Sequence, residues 1–156
     1  MLRRVGPPVA AVALVVIACA RPEPSITMND AGCSGSVSDL MTGQEFIAFH
    51  NDTDDLVGFA VMWLNGSFAA YADEVAAIRA DVAASPASLG TPSADVSLPS
   101  SGISYGNDAL LEPGKDAEVP FEFREDMTFA VVCTRYGPLR ATVRDIGVIG
   151  PLQAED

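Results

Sequence analysis

Apolar and polar residues change period twice along the chain. They alternate from Ser25 to Met28, and again from Gln44 to Asn51 as Q-E-F-I-A-F-H-N. A period of two puts Phe46, Ala48 and His50 on one face and Ile47 and Phe49 on the other, so both stretches predict half-buried strands. Leu56 to Leu64 (L-V-G-F-A-V-M-W-L) is apolar almost throughout. Such a run predicts a strand covered on both faces, with Trp63 in the core. Between these strands, Asp30 to Gly35 and Asn51 to Asp55 read as polar turns.

From Ser67 to Ser85 the spacing becomes three and four, with Phe68, Tyr71, Ala72, Val75, Ile78 and Val82 on one side. That is one face of an α-helix. Ser67 is placed to cap it, Asp73 and Glu74 sit towards its positive end, and Ser85-Pro86 ends it. Residues 85–102 are rich in Ser, Pro and Gly and read as an irregular loop. Helix and loop together form an insertion, 67–102, that serves either to cap an open end or edge of the sheet or to present a platform to a protein partner.

Strands resume at Ile103–Tyr105, Ala109–Leu111, Val119–Phe123, Met127–Thr134 and Leu139–Ile149. Glu112-Pro113-Gly114-Lys115 is a strong turn signal among them. About seven short strands separated by turns predict an all-β fold, an antiparallel β-sandwich with one inserted helix.

The first eighteen residues belong to a different kind of segment. Arg3 and Arg4 precede an uncharged apolar run, Val9 to Ala18. The run is shorter than the roughly 20 residues a membrane-spanning helix needs, and it reads as an export signal. It ends in Val16-Ile17-Ala18-Cys19, followed by the Pro-rich Ala20-Arg21-Pro22-Glu23-Pro24. Small or β-branched residues just before a Cys resemble the lipobox of bacterial lipoproteins. That resemblance implies cleavage before Cys19, lipidation of its thiol, and attachment to the cell membrane on the extracytoplasmic face. The chain then divides into a signal peptide at 1–18, a tether at 19–24, a domain at 25–150 and a short tail at 151–156.

Charge narrows the partners. The 156 residues hold nine Lys and Arg against 21 Asp and Glu, a net charge of −12. Removing residues 1–18 takes away Arg3 and Arg4 and no acid, leaving −14. A nucleic-acid binder needs a cationic face, so that class is excluded. Anionic headgroups are repelled as well, which makes the lipid anchor the expected membrane contact, with an envelope protein as a candidate partner.

Once Cys19 is set aside, Cys33 and Cys133 remain. An even count in an exported protein favours a disulfide, here closing a loop of 99 intervening residues. A free thiol or a thiolate metal ligand is the alternative.

The order of features resembles a family. A Cys follows the first strand (Asp30-Ala31-Gly32-Cys33), and Phe46-Ile47-Ala48-Phe49-His50-Asn51-Asp52 ends a strand in a polar turn. Val57-Gly58-Phe59-Ala60-Val61, the Leu111-Glu112-Pro113-Gly114-Lys115 turn and a strand carrying Cys133 follow. Residues 25–149, apart from the insertion, are similar to cupredoxin-like domains, in particular the N-terminal domain of EfeO-type iron-uptake lipoproteins. The resemblance implies a Greek-key sandwich. It places the family's first His ligand at Val57 and its Cys ligand at Cys133, and it finds neither His nor Met in Thr134-Arg135-Tyr136-Gly137-Pro138-Leu139-Arg140. Blue copper needs two imidazoles and a thiolate, so no type 1 copper, and no other cofactor, is expected. Arg135 and Arg140 would add positive charge beside that position.

The remaining candidates read as surface. His50, the single histidine, is a strand-end side chain, and with no nucleophile elbow in the chain an enzyme is not expected. Asp52, Asp54 and Asp55 miss the EF-hand pattern, since Val57 stands at its sixth position and Trp63 at its twelfth; they read as a solvated hairpin tip. Glu112, Asp116, Glu118 and Glu122 read as solubility. The sequence therefore describes a lipid-anchored binding or accessory module, linked to metal uptake through the resemblance, or an envelope interaction lipoprotein with no small ligand.

Overall fold

The computed structural model describes residues 23–37, 40–84, 97–106, 108–138 and 142–155. Residues 1–22, with the expected signal peptide and Cys19, as well as Arg140 and most of the Ser/Pro-rich loop, lie outside the described residues. Within them the chain forms eleven strands and one helix: β1 (Ser25–Asn29), β2 (Gly32–Ser36), β3 (Leu40–Met41), β4 (Gly43–Asn51), β5 (Leu56–Leu64), α1 (Phe68–Ala84), β6 (Gly102–Ser104), β7 (Ala109–Leu111), β8 (Asp116–Phe123), β9 (Phe129–Tyr136), β10 (Val143–Leu152) and β11 (Ala154–Glu155).

Two sheets make a β-sandwich. One has the order β2-β1-β4-β8; the other runs β10-β9-β5, with β6 and β7 end to end along the remaining edge of β5, β6 on Met62–Leu64 and β7 on Val57–Phe59. The chain crosses between the sheets from β4 to β5, from β7 to β8 and from β8 to β9, the Greek-key manner of connection. The pairing is not wholly antiparallel. β1 lies between β2 and β4 and is parallel to β4, because the β1–β2 hairpin turns outward to the sheet edge before the chain returns.

The period-two reading of β4 holds in three dimensions. Ile47 and Phe49 are fully buried, while Phe46, Ala48 and His50 lie on the outer face. Phe49 stacks on Phe59 of the facing sheet at 4.8 Å between ring centroids, and Phe123 meets Phe129 edge-on at 5.1 Å. β5 and β9 are buried on both faces. Val57, Phe59, Val61, Phe129, Val131 and Cys133 face the core between the sheets, and Met62, Leu64, Ala130 and Val132 face the other way.

That second apolar face is covered by α1. Tyr71 and Val75 are buried against it, with Phe68 and Ile78 packed alongside. Arg79 fixes the helix to β10 through Nε to Asp145 Oδ1 at 2.7 Å and an Nη2–Oδ2 bond at 2.9 Å. The helix thus covers the sheet face at its β10 edge, because β5 and β9 present apolar side chains on both sides and β10 adds Ile146. Ser67 caps it by accepting the Ala70 N–H on Oγ at 3.2 Å. The first helical turn carries no acid: Asp73 and Glu74 fall in the second turn, beyond the closest reach of the dipole.

Two segments depart from their sequence reading. Gly32 to Ser36 is a strand despite its Gly and Ser, because its main chain completes the hydrogen bonds of β1. At the other end, β10 continues to Leu152, whose side chain is buried, and Ala154 and Glu155 pair in parallel with Leu40 and Met41. The folded domain therefore extends past residue 150 into what reads as a tail.

Candidate functional site

The chemistry-bearing residues gather at one end of the sandwich, around the β4–β5 turn and the C-terminal half of β9. Cys133, on the inner face of β9, is joined in a disulfide to Cys33 of β2, with a Cα–Cα separation of 6.1 Å. The bond ties one sheet to the other. Gly147, opposite Cys133 in the β9–β10 register, makes room for it: a Cβ there would lie 3.1 Å from the Cys33 Cβ.

Beside the disulfide lies a network of charges. Asp55, read from sequence as part of a solvated tip, is nearly buried, with 11% of its side chain exposed. Arg135 Nε donates to Asp55 Oδ2 at 2.7 Å, and Arg144 Nη1 donates to both carboxylate oxygens at 2.9 Å. Arg135 also donates from Nη1 to Asp30 at 3.0 Å. Burial pushes the Asp55 carboxyl up, but the hydrogen bonds and charge of Arg135 and Arg144 outweigh it and hold the group below the ordinary aspartate value. The Asp55 hydrogen bond in turn raises the Arg135 guanidinium against the opposing effect of burial. Two carboxylates against two guanidiniums leave the cluster without excess charge, so it offers no ready site for an anion or a cation.

Under the charges sits a second polar group. Asn51 is fully buried, and its amide is completely engaged. Nδ2 donates to the carbonyls of Asp55 at 2.8 Å and Leu111 at 3.0 Å, while Oδ1 accepts the Thr53 N–H at 3.0 Å and the Thr53 hydroxyl at 2.8 Å. A buried amide with all its bonds made fixes the β4–β5 turn and holds it against β7.

This geometry tests the copper position that the family resemblance implies. Val57 is fully buried, faces Arg135 across the β5–β9 ladder and offers no donor atom. The Cys133 sulfur is committed to Cys33. His50 lies on the outer face of the opposite sheet, where Nδ1 meets Asp116 Oδ1 at 2.9 Å. Thr134 to Pro138 supply neither imidazole nor thioether. The residues do not fit a type 1 copper centre. Among the described residues, no group of three His, Cys, Asp or Glu side chains is placed to hold a metal.

Of the residues singled out in the sequence, Cys33 and Cys133 come together, and Arg135 joins them at the same end. His50, Glu118 and Glu122 are on the far face of the first sheet. Asp55, Arg144 and Asn51 were missed as a network. The one available signal was Asn51-Asp52-Thr53, a sequence typical of a side-chain-capped turn. Among the described residues, no helix is long and apolar enough to cross a membrane.

Comparison with known proteins adds little. No protein-family model and no curated protein matches the chain. Among solved structures, it is similar to the Na-dithionite reduced auracyanin from the photosynthetic bacterium Roseiflexus castenholzii. The identity is 16%, the match covers 85% of this chain and 95% of that one, and the TM-score is 0.41.

Proposed function

We propose that this protein is a lipid-anchored, extracytoplasmic binding or accessory module, a cupredoxin-like sandwich that works without type 1 copper. The observation that carries the reading is the Cys33–Cys133 bridge. A structural disulfide, here buried at Cys133 and half-buried at Cys33, is expected of a protein that folds in an oxidising compartment. It also accounts for both late cysteines and leaves Cys19, behind its lipobox-like run, as the single sulfur available for lipid. Two or three acyl chains, each buried CH₂ contributing about 0.8 kcal/mol, hold such a body firmly at the membrane surface.

A link to metal uptake comes from the resemblance to EfeO-type lipoproteins and rests on fold-level analogy. It is tested by melting the protein with Fe(II), Fe(III) and Cu(II) in turn, since a ligand that binds only the folded state raises Tm by mass action. A rise with iron or copper supports the link, and an unchanged Tm across the panel removes it.

The second reading, an envelope interaction lipoprotein with no small ligand, is favoured by the first sheet. Its outer face is not covered by the helix and carries an exposed Phe46.

A further inference from the structure

The two sheets are treated unequally. The outer face of the β5–β9–β10 sheet is covered by α1, whereas the outer face of β4 and β8 carries Phe46 with 53% of its surface exposed. Phe46 stands directly opposite Pro120, and Gln44, Ala48 and His50 stand opposite Glu122, Glu118 and Asp116. Glu118 and Glu122 are therefore the diagonal neighbours of the ring, within reach of one bound group. Glu118 also joins Phe46 and Ala48, with Glu23, Pro24 and Glu45, in lining a shallow depression of about 190 Å³. No Lys or Arg occupies an outward position of either strand.

We propose that this face is a docking surface for a cationic segment of a protein partner, one that presents Arg or Lys side chains next to an apolar residue. The argument is charge complementarity built around an aromatic ring. The exposed face of Phe46 attracts a guanidinium or ammonium group. Glu118 and Glu122 accept its hydrogen bonds from both sides, and Pro120 and Ala48 receive the aliphatic stem. Strand addition along the free edge of β8 is disfavoured, because Pro120 lacks an N–H and the outward acids repel one another along the strand. Docking is therefore on the face. It is independent of whether Cys19 carries lipid.

The test titrates the full chain with a synthetic five-residue peptide, Arg-Leu-Arg-Leu-Arg, blocked at both ends, and follows binding by calorimetry. Phe46→Ala, and Glu118→Gln combined with Glu122→Gln, each weaken binding by about threefold to tenfold, with Tm kept near the wild-type value because these side chains are exposed. Glu112→Gln, in the remote β7–β8 turn, leaves the affinity unchanged. Three results overturn the proposal: no binding of the peptide, an affinity indifferent to Phe46→Ala, or an equal loss from Glu112→Gln, which would mean attraction to net charge alone.

Discussion

Arg135 holds Asp55 through a 2.7 Å hydrogen bond across the end of the sandwich, and the carboxylate it grips is almost out of water. The pair links the β4–β5 turn to β9, 80 residues further along the chain. Removing the carboxylate takes away charge-assisted hydrogen bonds from Arg135, which is one-fifth exposed and keeps Asp30, at a cost of about 2 kcal/mol. Asp55→Ala is therefore expected to lower stability to urea by about that amount, whereas Asp52→Ala, on the exposed side of the same turn, changes it little. The folded state depresses the Asp55 pKa. Its contribution is present above the ordinary aspartate range and is lost as pH falls through the depressed value. Wild-type protein should thus lose stability on acidification more steeply than Asp55→Ala, as urea midpoints at descending pH would reveal.

The disulfide acts over a longer range. Cross-linking residues 100 apart restricts the unfolded chain by about 4 to 5 kcal/mol in the chain-entropy account. Cys33→Ser with Cys133→Ser is expected to lower Tm by many degrees and to abolish its sensitivity to dithiothreitol. A wild-type melt that dithiothreitol leaves untouched would count against the bridge as a source of stability.

Tyr71 offers an alkaline counterpart. Burial, and secondarily the charge of Glu74, push its phenol up to about 12. The neutral form is favoured in the folded state, so this contribution is complete below the ordinary tyrosine value of 10.0 and fades as pH rises towards 12. The two-unit shift corresponds to about 3 kcal/mol. Its hydroxyl donates to no described residue. Tyr71→Phe is accordingly expected to be neutral or slightly stabilising at pH 7 and to flatten the alkaline loss. Gly102→Ala is expected to cost about 1–3 kcal/mol, because the added methyl would come within 2.5 Å of the Tyr71 ring.

The sequence was most informative where side chains dictate the element. Nine nearly continuous apolar residues announced β5 as covered on both faces, and the three-four spacing around Tyr71 and Val75 announced α1 with its Ser67 cap. It was least informative where the main chain or a distant partner decides. Gly32 to Ser36 has no side-chain reason to be a strand and becomes one by pairing with β1. β3 and β11 exist only through each other, more than a hundred residues apart in sequence. Asp55 looked solvated because nothing near it in sequence reveals that Arg135 and Arg144 arrive from β9 and β10. At the candidate site the two late cysteines were legible by count, but the neutral charge network beside them was not.

The most direct test of the central reading is mass spectrometry of the membrane fraction from the native host, digested without reduction. The account predicts an N-terminal peptide that begins at Cys19 and carries the mass of a diacylglyceryl group, together with a cross-linked peptide containing Cys33 and Cys133. Recovery of Met1 on the mature chain, or of both late cysteines as alkylatable thiols, would contradict it.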